Sequence, residues 1–440
     1  MKYNFYIRHF GFAVFCIFAI LAYLMGYKED IPQYKLFIHC AIAFFYWALL
    51  YLASKIKEER TIISMVFLFS LLTAITLRYL FWDYTGDPYG KIGNCDIYGY
   101  EKFVLSSVDI SFSEFLQKVS LHGFNIDDYG FFSFLFLLHN FFMGAEFVRN
   151  FLLLFNSCLI ACSTHLIYKI CNCLDFEEEI SRMSAAFYGL FPFWTVSTAV
   201  GLKENLFCFA IVAALYYIYR YKESHLTRCL IGCVVFITFT YLFRFAVTLM
   251  LLIVLAITLI CSEQNKKSLL IGMAVAAVIL SASLSIIMQS FSGTSMKLVT
   301  DVAADRMSRS GGNGFLGWMV HCSAAFIGPF PNFSRTNQYN IYFAAGLINK
   351  VLFSVFVNYA LYKVIQKLEW KLYPILSYLV MGYIMLLVSG VALDMRYHIT
   401  FFPAFVILLG YGYSHFQMKS SVLYALGTVG LAITFVYTFR

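Results

Sequence analysis

Three polar groupings interrupt a mostly apolar chain, and each carries side chains able to act on a phosphorylated or hydroxylated molecule. The first holds Asp87 and Asp96, within the stretch Gly86-Asp-Pro-Tyr-Gly-Lys-Ile-Gly-Asn-Cys-Asp-Ile-Tyr-Gly-Tyr100 that follows Arg78. The second is Gly201-Leu-Lys203-Glu204-Asn205, together with Arg244, both set between apolar runs. The third is Asp394-Met-Arg396-Tyr-His398. An ionised side chain at the centre of a membrane helix costs about 2.5–3.5 kcal/mol by insertion scales, so each charge here asks for a reason. Carboxylates facing Lys, Arg and His are the layout for clamping a phosphate or diphosphate while a base stands beside it. Asp87, Asp96 and Glu204 are also oxygen ligands that could hold a hard divalent ion, or work without one; no other cofactor is indicated.

Each grouping has a plainer counterpart. Loop carboxylates at a bilayer surface are hydrated and need no partner, and Gly/Pro turns alone explain the first stretch. Lys203 and Glu204 are adjacent, so on a helix they point to different faces. Arg78 and Arg149 can snorkel to an interface, the reading preferred for Arg149, and Arg396 can be an interfacial anchor.

The 440 residues are 61% apolar and 13% charged, more apolar surface than a soluble domain can bury, so the class expected is a polytopic helical membrane protein. Backbone groups in lipid must be satisfied within each segment, which makes the apolar runs helices. Tyr216, Tyr217, Tyr219, Tyr221, Tyr411 and Tyr413 gather at run ends as interfacial belts do. The net charge of +8 lies mostly in short loops, where it orients helices rather than attracting nucleic acid. The twelve Cys are scattered, and Cys171-Asn-Cys173 lacks a second pair at zinc spacing; Cys95 and Cys322 both fall in polar regions and could pair. The first apolar run is too long for a cleavable signal.

All 440 residues form one integral membrane unit in this reading. Spans are expected at 10–26, 34–53 and 62–82. Lys2 and Arg8 before them, with Lys55, Lys57 and Arg60 between, place the loop 83–128 outside. Helical spacing over 103–121 predicts one interfacial helix in that loop. Residues 129–143 are short for a crossing and read as a re-entrant element, 151–168 as a span, and 184–219 as apolar with a break at 201–205 and a kink at Pro192; the rival solution treats 184–219 as one broken crossing. Runs at 231–242 and 246–259 flank Phe243-Arg244. After 269–288 comes a second long outer loop, 289–340, with an amphipathic helix at 296–307 and a dipping segment at 315–330 that bears His321. Spans at 341–361, 372–393, 399–413 and 422–439 complete an all-α bundle of roughly thirteen crossings. No repeat, low-complexity tract or soluble domain is visible.

The Asp-x-x-x-Tyr of Asp96 to Tyr100 in a first large outer loop resembles the start of GT-C fold glycosyltransferases. The aromatic run Tyr129-Gly-Phe-Phe ending at Gly144, Arg149 opening the next helix, Pro192, Lys203-Glu204-Asn205 and Arg396-Tyr-His398 suit the same pattern. The protein O-mannosyltransferases and the lipid A aminoarabinose transferases belong to that group. The likeness covers roughly residues 87–221 and the Arg396 region. Two additional helices precede the loop, and Asp127-Asp-Tyr-Gly130 replaces the usual Pro-Pro-Leu-Tyr segment. The chain is also similar to bacterial O-antigen and capsule repeat-unit polymerases of the EpsG type.

What these resemblances imply is a membrane glycosyltransferase of the cell envelope. It would move a sugar or oligosaccharide from a polyprenyl-(di)phosphate donor to a glycan, lipid or protein acceptor at the outer face of a bacterial inner membrane. Asp96 would be the base with Asp87 its alternative. Tyr98, Tyr100, Lys203, Glu204, Arg244, Arg396 and His398 would bind substrate. A repeat-unit polymerase is the alternative within enzymes. A lipid-linked sugar flippase or transporter is the alternative outside them, but it lacks here the internal repeat and paired broken helices of transporters.

Overall fold

A computed structural model of the chain describes residues 33–85, 96–122, 126–142, 144–260, 305, 314–330, 339–367 and 369–415, with a few positions (425, 428–430, 432–433) near the C-terminus. Among them the structure is all helical. In chain order the helices are α1 (Gln33–Ala53), α2 (Glu59–Thr85), α3 (Asp96–Leu105), α4 (Phe112–Leu121), α5 (Ile126–Phe142), α6 (Ala145–Cys173), α7 (Glu178–Gly189), α8 (Pro192–Val200), α9 (Glu204–Ser224), α10 (Thr227–Tyr241), α11 (Phe245–Ile260), α12 (Gly314–Phe326), α13 (Tyr339–Lys367), α14 (Tyr373–Ser389), α15 (Met395–His398) and α16 (Phe402–His415). Short 3-10 turns at Trp370–Leu372 and Ile399–Phe401 lead into α14 and α16. Three stretches among the described residues are long and apolar enough to cross a membrane: Glu59–Arg78, Ala145–Cys173 and Trp370–Ser389. The spans expected at 10–26, 269–288 and most of 422–439, and the helix expected at 296–307, lie outside the described residues except for single positions.

Helix α6 is the central element, packed against α2, α7 and α9. The interior is aromatic, with Trp194, Tyr188, Tyr378, Phe191, Phe193 and Phe402 buried. Phe191 and Phe402 meet at 4.1 Å between ring centres.

The break expected at residues 201–205 is present, and its cause is local. Gly201 takes the left-handed conformation at φ 79° and ends α8, a position that glycine adopts without the steric cost of a Cβ. The Leu202 N–H turns back to Ser197 O at 2.9 Å. Asn205 then ties the two helices together, accepting from Ser197 Oγ at 2.6 Å and donating to Thr198 Oγ1 at 3.0 Å. Pro192 does not kink a continuous helix. It opens a new one, α8, in the first turn, where its missing N–H has no intrahelical partner to lose. The result is a short helix between two breaks, with Lys203 and Glu204 at the second.

The single interfacial helix expected over 103–121 is two helices, α3 and α4. Ser111 caps α4 by accepting from the Glu114 N–H while the Glu114 carboxylate accepts from the Ser111 N–H, a reciprocal pairing that fixes where a helix begins. Both helices lean on α5 through rings: Tyr100 on Phe132 at 4.7 Å, and Phe115 stacked on Phe136 at 4.2 Å. The 17 residues of α5 span about 25 Å at the helical rise. That length is most of a hydrocarbon core of about 30 Å, so α5 is longer than the half-length element read from the sequence. Helix α12 has 13 residues among those described, fewer than a crossing needs.

Candidate functional site

The break between α8 and α9 gathers side chains from four distant parts of the chain. Lys203 Nζ donates to Asp128 Oδ1, and the Tyr100 hydroxyl donates to the same oxygen at 2.7 Å. The Lys203 ammonium also lies 5.6 Å from the Tyr100 ring centre, within cation–π range. Helices α3 and α5 of the first polar loop are thereby pinned to the start of α9. From the other side, Arg78 near the end of α2 donates through Nε to Ala199 O at 3.2 Å, supplying one of the donors that a helix C-terminus lacks.

Glu204, one residue on from Lys203, is buried at 2% exposure and points elsewhere, as adjacent helical residues must. It faces Arg244, in the turn between α10 and α11, with Arg244 Nη2 and Glu204 Oε1 3.8 Å apart. That is an ion pair but not a hydrogen bond. The guanidinium instead lies over the Tyr397 ring at 4.2 Å and the Phe207 ring at 5.3 Å. Cys208 Sγ approaches Ile399 O at 3.9 Å, so α9 carries the α15 segment against it. The turn bearing Arg244 is itself fixed: the Gly130 N–H of α5 donates to Leu242 O at 2.9 Å. A Cβ at Gly130 would stand 2.7 Å from both Leu242 Cβ and Leu242 O, so only glycine allows the approach.

Two polar atoms in this pair have no hydrogen-bond partner among the described residues: Glu204 Oε2 and Arg244 Nη1, both buried. A buried polar atom left unpaired costs about 1–3 kcal/mol, more when charged. One is an acceptor and the other a donor. A hydroxyl can satisfy both at once, and a phosphate oxygen can take the second.

Glu204 and Arg244 are thus brought together, while Lys203 turns to Asp128 and Tyr100. Tyr98 is exposed on the other side of α3. Asp96 opens α3, and its side chain lies outside the described set, as does Asp87 altogether. The third grouping reaches the site through Tyr397. Arg396 is half-exposed and turned to Asp394, whose Oδ2 is 3.2 Å from its Nη2 and whose Oδ1 accepts the Arg396 N–H at 2.9 Å. His398 is buried and donates through Nε2 to Ala392 O at 2.7 Å. Asp128 and Tyr397 were not among the expected binding residues. Asp128 pairs across 75 positions with no sequence signal, while Tyr397 sits inside a grouping already marked.

Arg149 does not snorkel. It makes a forked pair with Glu101 of α3, Nε to Oε1 at 3.0 Å and to Oε2 at 3.1 Å, and Nη2 to Oε2 at 2.8 Å. His139 of α5 stands 3.6 Å from the same carboxylate. This second anchor holds the helix that begins at Asp96. Its signal was available, since a lone Arg at the head of an apolar run calls for a partner. Cys322 carries a free thiol, and Cys95, the partner considered for it, lies outside the described residues. No group of three or more His, Cys, Asp or Glu among the described residues is placed to hold a metal ion. No family model matches the chain, and no curated protein or solved structure resembles it significantly.

Proposed function

We propose that this chain is an integral membrane glycosyltransferase that moves a sugar or oligosaccharide from a polyprenyl-(di)phosphate donor to a hydroxyl-bearing acceptor at the outer face of the membrane. A bundle of roughly thirteen crossings, oriented by its basic inner loops, belongs to the same proposal. The observation that carries it is the open Glu204–Arg244 pair, at a helix break where the first loop, α9 and the Tyr397 segment meet. Arg244, pre-placed over Tyr397, would clamp the donor phosphate. Glu204 would take a sugar or acceptor hydroxyl. Asp96, at the head of the anchored α3, would be the base.

The test is Arg244→Lys in the full chain, assayed for transfer from a lipid-linked sugar in reconstituted membranes. Lysine keeps the charge but loses the planar fork. Normal insertion with product down roughly tenfold or more, the donor accumulating, is the expected result. Undiminished product from the Lys variant would sink the clamp.

A further inference from the structure

The third polar grouping, residues 394–398, reaches the Glu204–Arg244 pair through an aromatic ring. Gly390 ends α14 in the left-handed conformation at φ 70°, and the chain returns to α16 by way of α15 and the 3-10 turn Ile399–Phe401. The polar groups along this return are bonded to the segment itself or to the helix beside it. Asp394 caps α15: its Oδ1 accepts the Arg396 N–H at 2.9 Å, and its Oδ2 stands 3.2 Å from Arg396 Nη2. His398 Nε2 donates to Ala392 O at 2.7 Å, and Thr400 Oγ1 to Tyr397 O at 2.7 Å. The Tyr378 hydroxyl of α14 donates to Thr400 O at 3.0 Å, and Cys208 Sγ of α9 approaches Ile399 O. The charged and polar side chains therefore fix the backbone, and what the segment turns towards Arg244 is the ring of Tyr397.

Arg244 has a carboxylate 3.8 Å away and does not close on it, whereas Arg149 closes on Glu101 to 2.8 Å. A ring face attracts a guanidinium and fixes its plane by stacking and cation–π attraction. Two rings offer this, Phe207 at 5.3 Å and Tyr397 at 4.2 Å. Phe207 sits on α9 three residues from Glu204, so its pull keeps the guanidinium beside the acid. Tyr397 belongs to a separate segment and is the nearer ring, so its pull is the one that can hold the guanidinium off α9. We infer that residues 394–398 form a brace and that Tyr397 is a positioning residue, its ring holding Arg244 apart from Glu204 so that each keeps an atom for the ligand. The inference rests on the transfer reading of that pair. It gives Asp394, Arg396 and His398 the task of setting the ring, in place of the substrate contacts expected for Arg396 and His398. Tyr397 acts through Arg244 and not on the substrate, and the requirement is for an aromatic face rather than a hydroxyl.

The full chain, labelled with 15N-arginine and held in lipid nanodiscs, reports the contact directly. The Arg244 Nε–H resonance is assigned by its loss in Arg244→Lys, and a ring face at 4.2 Å displaces it upfield of the ordinary arginine position. Transfer from a lipid-linked sugar is measured on the same samples. Tyr397→Phe should keep both the displacement and most of the transfer. Tyr397→Leu should return the resonance toward the ordinary position and lower transfer about tenfold or more, as misplacing a clamp by about an ångström does. Asp394→Ala removes the cap at a half-exposed position and should move both readouts the same way by less; it decides the matter where Leu at 397 lowers yield. The inference is overturned by an undisplaced resonance in the parent, or by a displacement that survives both Tyr397→Leu and Asp394→Ala. A Phe variant as impaired as the Leu variant, or full transfer from Tyr397→Leu once the resonance has moved, overturns it equally. A parent whose displaced resonance is lost in Tyr397→Leu, yet which transfers no sugar, keeps the brace and loses the transferase.

Discussion

Replacing Arg149 with Leu should unfold the protein more easily by about 3 kcal/mol, and the reason can be read from one carboxylate. Glu101 is 2% exposed and receives all three hydrogen bonds of the Arg149 fork, while Arg149 itself is 19% exposed. Removing one partner of a buried pair costs about 3–5 kcal/mol, because the other charge stays buried and unpaired. The partial exposure of Arg149 puts the loss at the lower end. An exposed pair would cost only about 0.2–1 kcal/mol. His139, 3.6 Å from the carboxylate, is beyond hydrogen-bond range and cannot replace three bonds. The double variant Glu101→Leu/Arg149→Leu removes both charges and should return to within about 1 kcal/mol of the parent, since apolar replacements of buried pairs are often neutral or better. Unfolding by dodecyl sulfate titration in mixed micelles, followed by Trp fluorescence, gives the three free energies. A loss below about 1 kcal/mol for Arg149→Leu, or no recovery in the double variant, would refute the view that this pair fixes α3. The consequence reaches the site, because Asp96 opens the helix that Glu101 holds.

Gly130→Ala should destabilise by about 1–3 kcal/mol, as overpacking does, because its Cβ would stand 2.7 Å from Leu242 and push away the turn that carries Arg244; the same titration measures it. Asp96→Asn should cut transfer roughly a hundredfold to ten-thousandfold with normal insertion, the range for losing a general base, while Asp87→Asn should be milder. Residual transfer above about a tenth would make Asp96 a structural loop residue. Cys95 should react with a membrane-impermeant thiol reagent added to intact cells, and labelling only after permeabilisation would invert the topology read from Lys55, Lys57 and Arg60.

Where sequence reading succeeded, a single local cause was enough. Gly201 and the polar run after it marked a break because only glycine takes that φ cheaply, and Phe243-Arg244 marked the turn between α10 and α11 because an Arg cannot sit mid-run unpaid. It failed where two signals competed. The helical spacing over 103–121 hid the capping pair Ser111 and Glu114, which splits that stretch in two. It also failed where the partner lay far along the chain. Nothing near Asp128 announces Lys203, and nothing near Arg149 announces Glu101, so an isolated Arg read as an anchor until its carboxylate was in view.

The contrast between the two acid–base pairs at α3 and α9 argues for where chemistry belongs. Arg149 and Glu101 are closed on one another by three short bonds, and such a pair has little left to offer a ligand. Glu204 and Arg244 are as deeply placed, yet they stand 3.8 Å apart with one atom of each unpaired. Closing that gap would be the ordinary outcome for a free Arg side chain in a low-dielectric setting. It stays open because the guanidinium is held over Tyr397 and Phe207 and its turn is locked by Gly130, so the pair is prevented from satisfying itself. A donor and an acceptor kept ready and apart need no rearrangement when a hydroxyl or phosphate oxygen enters, which is the condition under which fixed polar groups contribute most to a reaction.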